Sequence, residues 1–273
     1  AAEVGDVAPR LARAAQERDD AVADVVRVAA CAVVTGEPGE EHLVVLTGDP
    51  LFTPVTPTGE RILLADGARL LAPVIPRSKV VGVGRNYAAH VTEMGHELPT
   101  EPLLFLKPNT SVIGPDDPIV LPTYSDEVHH EAELAVVMGK ITRNVTPERA
   151  LAHVFGYTAA NDVTARDVQR TDGQWTRAKG FDSSCPLGPW IVTDLDTDDL
   201  RVTARVNGQP RQDGRTSEMV FDVAHLVAYI SEVFTLLPGD VILTGTPAGV
   251  GPVVQGDVVE VEVEDIGVLR NPV

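Results

Sequence analysis

Cysteine is scarce in this chain: two in 273 residues, Cys31 and Cys185, and neither belongs to a C-x-x-C pair. A secreted fold stapled by disulfides needs more, so a reducing, cytoplasmic setting is expected. No apolar run approaches the ~18 residues that span a bilayer. The N-terminal stretch has no apolar segment of the kind that marks a secretory leader, so none is expected. Basic residues are also in deficit, with 22 Lys and Arg against 40 Asp and Glu, for a formal net charge of −18. That balance argues against general nucleic-acid binding, which needs cations to displace condensed counterions. It argues equally against docking on anionic membranes. Aromatics make up only 4%, which leaves the core to Val, Leu, Ile and Ala. What remains is ordinary for a soluble globular protein, with 44% hydrophobic and 23% charged residues. The length suits one large domain or a large domain with a smaller companion. An anionic substrate would be repelled by such a surface unless local charge reverses its sign.

Residues 1–23 are Ala-rich and charged, and Leu11, Ala14, Ala15 and Arg18 fall at helical spacing. This predicts a short helix or frayed arm, read as an N-terminal extension without assigned function. Residues 24–76 read as a small β domain: VVRVAACAVVT, a GEPGEE turn and HLVVLT form a hairpin pattern, and prolines at 50, 54 and 57 break regularity. Residues 77–273 form the third unit. Its strand candidates are KVVGVG (79–84), LLFLKP (103–108), AELAVVMG (132–139), PWIVT (189–193), RVTARVN (201–207), DVILTGT (240–246) and DVVEVEVE (257–264). Helices are expected over Ala88–Met94, Thr146–His153 and Asp222–Phe234, and Asn207-Gly208 signals a hairpin turn. Regular βαβ alternation is missing, so the fold class is α+β, mostly β.

Chemistry concentrates in a few segments. In HHEAELAVVMGK, Glu131 and Glu133 stand two apart, which on a strand places them on one face beside an apolar run. Adjacent carboxylates near a core call for a cation, although a solvated strand end would also carry such a pair. Asp162, directly after the small-residue stretch GYTAAN, adds a third carboxylate. Three oxygen donors suit Mg²⁺ or Mn²⁺ better than zinc, since no cysteine is near. His129 and His130 point to opposite faces and are read as structural. His90 and Glu93, three apart on a short helix, either prepare a general base or form an ordinary surface pair. Gly82-x-Gly84 fails as a dinucleotide fingerprint, because Tyr87 occupies the third glycine position. Across TARDVQRTDGQWTRAKGFD, Arg166, Arg170, Arg177 and Lys179 outnumber Asp167 and Asp172, a local reversal of sign in an acidic chain. Gln169 lies one turn from Arg166. The Gly- and Thr-rich loop of LTGTPAGVGP offers backbone N–H groups and the Thr246 hydroxyl, either as an anion-binding concavity or as a plain turn.

In this order, GVGRNYAAHVTEM, LFLKPNTSVIGP, HHEAELAVVMGK, GYTAANDVTARDVQ, QWTRAKGFDSSCPLGPWIVT and LLPGDVILTGTPAGVGP resemble the fumarylacetoacetate hydrolase family, in particular its short bacterial, acylpyruvase-like branch. The likeness runs from about Leu70 to the C-terminus. It implies a mixed β-sandwich or roll, commonly a homodimer. It further implies that Glu131, Glu133 and Asp162 bind Mg²⁺ or Mn²⁺. His90 and Glu93 would form a base dyad on a segment that acts as a lid, and Lys179 would hold the reacting oxygen or water. Arg166 and Gln169 would contact substrate, Thr246 would receive its carboxylate, and Arg85 and Tyr87 would contribute from the same motif as His90. The implied substrates are 2-oxo or enol acids that react through an enolate at C3. Isomerisation of 2-hydroxyhepta-2,4-diene-1,7-dioate or C–C hydrolysis of a related dicarboxylic acid stands first. Acylpyruvate hydrolysis or oxaloacetate decarboxylation stands second. A fold relative that binds metal and oxo-acid without turnover is the reading from another class.

Overall fold

Val- and Leu-rich runs separated by Gly and Pro form strands throughout the computed structural model, which describes residues 10–18, 26–35, 42–64, 69–93, 95 and 97–273. The N-terminal strands are β1 (Arg10–Arg18), β2 (Val26–Thr35), β3 (His42–Leu46), β4 (Pro57–Leu63) and β5 (Arg69–Leu71). Then come β6 (Val80–Gly84), α1 (Ala88–Glu93), β7 (Leu103–Lys107), β8 (Val112–Ile113), β9 (Val128–His130) and β10 (Ala132–Met138). The middle of the chain forms α2 (Pro147–Ala150), β11 (Val154–Asn161), β12 (Thr164–Ala165), α3 (Arg166–Thr171), α4 (Thr176–Lys179) and β13 (Cys185–Val192). The C-terminal part forms β14 (Arg201–Val206), β15 (Gln209–Arg215), α5 (Val223–Val233), β16 (Val241–Leu243), β17 (Gly251–Pro252), β18 (Val258–Val263) and β19 (Gly267–Pro272). Strands dominate, as expected for an α+β chain that is mostly β.

The large sheet runs β4-β3-β2-β1-β13-β11-β10-β16-β6-β7, with β5 beside β1 and β8 beside β13. A four-stranded sheet, β15-β14-β18-β19, and a short one, β12-β9-β17, complete the architecture. One expectation is overturned. The helical spacing at residues 11–18 gives way to a strand: β1 pairs with β2 from Arg10↔Val34 to Arg18↔Val26. Its first residues also meet β13, Arg10↔Val192 and Leu11↔Ile191. Helix propensity over so short a span is a weak preference, and two ladders of backbone hydrogen bonds outweigh it. The rest of the 1–23 segment, the GEPGEE turn and Met94 lie outside the described residues.

The core explains why the β10 run is apolar without alternation. Leu134, Val136 and Met138 face one cluster, which includes Val202 and Val261 of the four-stranded sheet and Leu226 and Ile230 of α5. Ala135 and Val137 face another, with Val80, Leu187 and Leu243. A strand buried on both faces reads as a continuous hydrophobic run. Helix α5 begins at Asp222, whose side chain accepts the His225 N–H at 2.7 Å. The β14–β15 turn places Asn207 at φ 53° and Gly208 at φ 74°, the paired positive values that a tight hairpin turn requires.

Candidate active site

Strand register assembles the acidic residues. Pairing of Ala132 with Asn161 sets Glu131 opposite Asp162 just beyond the strand ends. The Asp162 N–H donates to the Glu131 carbonyl at 2.9 Å, and the Glu131 N–H donates to the Asn161 side chain at 3.0 Å. Glu133 lies two residues further, inside β10. Carboxylate oxygens of Glu131, Glu133 and Asp162 all lie within 4.8 Å of one another, and all three residues are buried. Such a cluster is costly unless cations answer it. Lys179 Nζ sits 2.9 Å from Glu131 and 2.6 Å from Asp162, Lys107 Nζ sits 2.5 Å from Asp162, and the Arg166 guanidinium bonds Glu131. Burial disfavours the Glu131 carboxylate, yet Lys179 and Arg166 outweigh it and hold its pKa well below the usual range. Burial likewise opposes the Lys179 ammonium, but Asp162 and Glu131 raise its pKa above the ordinary lysine value. Glu133 goes the other way: burial, then Asp162 and Glu131, push its pKa far up, while a Gly245 N–H donates to it at 2.7 Å. The cations therefore answer Glu131 and Asp162 and leave Glu133 least compensated. An all-oxygen donor set with its charge deficit at one carboxylate fits a hard divalent ion such as Mg²⁺ or Mn²⁺.

A cavity of about 320 Å³ opens above this cluster. Glu131, Glu133, Lys179 and His90 line it, together with Arg85, Arg166, Gln169 and Thr246. His90, on α1, is nearly buried; its Nδ1 lies 3.2 Å from Glu93, whose carboxylate also accepts the Gly249 N–H at 3.1 Å. Glu93 is thus the anchor that ties α1 to the 245–251 loop. The Arg166 guanidinium donates to Gln169 at 2.5 Å, as their spacing on α3 predicts. Two expected contacts look different in place. The Thr246 hydroxyl gives its one proton to the Ala132 carbonyl at 2.8 Å and accepts from Gln212 at 2.7 Å, so donating to a substrate would break an existing bond. Tyr87 is buried and does not line the cavity, its pKa raised by burial first and then by Glu133, and it is Arg85 from the same motif that lines the cavity.

His129 and His130 stay outside the carboxylate cluster. His129 contacts Glu127 at 3.0 Å. His130 lies 3.0 Å from Gln212 Oε1. Both N–H bonds of the Gln212 amide are spent on Thr246 Oγ1 and the Pro247 carbonyl, so Oε1 accepts and the His130 proton is on Nδ1. Gln212 and Lys107 were not foreseen. Lys107 carried a signal, a cation closing the apolar strand LLFLK. Gln212 carried none, since it sits in the polar stretch QPRQDGR, and only the fold turns it inward.

Residues 79–273 match the fumarylacetoacetate (FAA) hydrolase C-terminal family, and residues 10–73 match the Rv2993c-like N-terminal family. The chain belongs to the fumarylacetoacetate hydrolase family. Among solved members of that family, a 2-hydroxyhepta-2,4-diene-1,7-dioate isomerase from Mycobacterium marinum is 47% identical, with TM-score 0.85 over 96% of this chain and 97% of that one. The human mitochondrial oxaloacetate tautomerase FAHD2A is 47% identical over 74% of this chain and 68% of its own length. A fumarylpyruvate hydrolase from Pseudomonas aeruginosa, solved with Mn²⁺ and pyruvate, is 32% identical, with TM-score 0.69 over 75% of this chain and 91% of that one. The chain is accordingly an enzyme of this family.

Proposed function

We propose that this enzyme acts on 2-oxo or enol dicarboxylic acids through an enolate, as a 2-hydroxyhepta-2,4-diene-1,7-dioate isomerase or a hydrolase of a related C–C bond. The observation that carries the reading is one cavity lined both by Glu131 and Glu133 of the three-carboxylate cluster and by His90, with Glu93 holding the imidazole. Glu131, Glu133 and Asp162 are the residues to hold Mg²⁺ or Mn²⁺, which would supply Lewis-acid stabilisation of negative charge on the substrate's 2-oxygen. His90 engages Glu93 through Nδ1 and so has Nε2 left to move a proton at the substrate carbon, or to take one from water in the hydrolytic case. Lys179 donates its three N–H bonds to Glu131, Asp162 and Thr164, and would reach the reacting oxygen by giving up one of them. Arg166, with Gln169, and Arg85 add positive charge where an anionic substrate enters. Isomerase and tautomerase relatives support proton transfer as the reaction, and the fumarylpyruvate hydrolase supports the C–C hydrolytic alternative. Glu93 also anchors α1, but a non-catalytic binder would have no need of the general base that the pair prepares in His90.

The test is a screen of hydroxyheptadienedioate, acylpyruvates and oxaloacetate with added Mg²⁺ or Mn²⁺, following product identity as well as rate. Turnover of a 2-oxo or enol acid that stops in chelator and returns with metal is expected. Full activity in chelator would sink the metal assignment, and no turnover of any of these acids would sink the reaction class. A cytoplasmic homodimer serving the breakdown of aromatic compounds is the setting proposed with this reading, and light scattering tests the dimer. No helix among the described residues is long and apolar enough to cross a membrane.

A further inference from the structure

A second cavity, of about 640 Å³, adjoins the first. Leu103, Phe105 and Leu106 of β7, Phe234 after α5, and Trp175 before α4 supply its apolar wall, and Arg85 is its single charged lining residue. Arg85 and Trp175 line both cavities. Two glycines of β6 make room for the aromatic part of this wall. A Cβ at Gly82 would lie 2.1 Å from the Phe105 ring, and one at Gly84 would lie 2.9 Å from the Trp175 ring. Phe105 and Trp175 meet edge to face with centroids 5.6 Å apart. The Lys179 ammonium stands 4.9 Å from the centre of the Phe105 ring, and the Lys179 N–H donates to the Trp175 carbonyl at 2.9 Å. The same aromatic pair therefore supports Lys179 on one side and bounds the second cavity on the other.

We infer that the second cavity is a distal subsite of the active centre, which takes the carbon chain of the substrate beyond its 2-oxo-acid head. The inference rests on the 2-oxo-acid reading above and narrows its substrate class. A head placed at the carboxylate cluster leaves the rim shared by Arg85 and Trp175 as the way on for a longer chain. Leucine and aromatic side chains beyond that rim suit an apolar or conjugated carbon segment, and they offer little to a phosphate or a sugar. The site is thus built to prefer long 2-oxo acids over acids of three or four carbons such as pyruvate and oxaloacetate.

Titration calorimetry on Mn²⁺-loaded protein with pyruvate, 2-oxohexanoate and 2-oxooctanoate tests this without turnover. Affinity is expected to rise along the series by about fourfold for each methylene that becomes buried. Leu103→Asp, at an exposed position of the wall, should flatten the series and leave pyruvate binding unchanged. Gly173→Phe provides a second variant: Gly173 lines the cavity and a Cβ there meets nothing within 4 Å, so a ring is tolerated at the cavity's edge and should weaken the longest acid selectively. Pyruvate binding with no gain along the series in the wild type would overturn the subsite while sparing the 2-oxo-acid reading. Failure of all three acids to bind would overturn both. A change in solution mass for Leu103→Asp would assign this wall to contact with a second copy of the chain, and would likewise overturn the subsite.

Discussion

Three buried carboxylates face three buried cations, yet the pairing is uneven, and the unevenness assigns roles. Lys179, Arg166 and Lys107 bond Glu131 and Asp162, whereas Glu133 is pushed toward its neutral form by burial and by the other two acids. Removing the Glu133 charge should therefore cost the fold little and the metal much. Glu133→Gln is expected to keep its thermal midpoint in chelator and to lose Mn²⁺ affinity in equilibrium dialysis; wild-type affinity would refute its role as a ligand. His90 sits at the wall and not in the cluster. His90→Ala should bind Mn²⁺ like the wild type and lose roughly 10²–10⁴-fold in kcat, the usual share of a positioned acid–base group. A residue outside the reaction sets a pH limit. Burial pushes the His130 imidazole down to about 4, against about 6.5 in an unfolded chain. The unfolded state therefore takes up its proton first, and stability falls as pH drops from about 6.5 toward 4, by about 3 kcal/mol at most. Above about 6.5 both states are neutral and the effect vanishes. Urea midpoints at pH 6.5 and 5 should drop more steeply in the wild type than in His130→Asn, and equal slopes would remove this account.

At the scale of elements, strands that carry their own signal were legible and those defined by partners were not. The both-faces-buried β10, the Asn207-Gly208 hairpin and the amphipathic α5 each follow from local pattern, because burial or backbone geometry dictates residue type along the whole element. Glu131, Glu133 and Asp162 were legible as candidates for the same reason: acids at the end of an apolar strand need an explanation. The strand β1 was not legible, since its Ala-rich sequence prefers helix and only pairing with β2, β5 and β13 reverses that. Gln212 was hidden likewise; its four hydrogen bonds, to His130, Ala132, Thr246 and Pro247, tie its own sheet to the other two and to the loop after β16, all distant in sequence. Thr246 was legible as a polar loop residue, but its bond to the Ala132 carbonyl was not. Helix α5 allows a quantitative check on the legible side. Asp222→Ala removes the side chain that accepts the His225 N–H and should lower stability by about 1 kcal/mol in urea unfolding, with metal affinity unchanged. A wild-type midpoint would mean that the Asp222 cap adds nothing to the buried face of α5.

For the whole molecule, the surplus of acids poses a question that the fold answers locally. A net charge of −18 repels an anionic substrate at long range. On the reading proposed above, Arg166 and Lys179 are buried and already bonded to carboxylates and Arg85 borders the same cavity, so these cations would act only once the substrate has reached the cavity. Long-range repulsion between exposed charges is screened by salt, and short-range attraction in a buried site is screened far less. Added salt should thus help or spare the encounter, the opposite of what a basic funnel would show. Raising NaCl from about 20 to about 200 mM shortens the screening length from roughly 20 Å to roughly 7 Å. KM for a dicarboxylic 2-oxo acid is then expected to fall or to stay level, with kcat unchanged. Metal depletion acts on the other scale, at Glu133 and its neighbours, and should abolish turnover at either salt concentration. Steady-state kinetics over that range, with and without chelator, separate the two effects. A KM that climbs steeply with salt would mean that an exposed basic surface guides the substrate, and would refute compensation confined to the cavity.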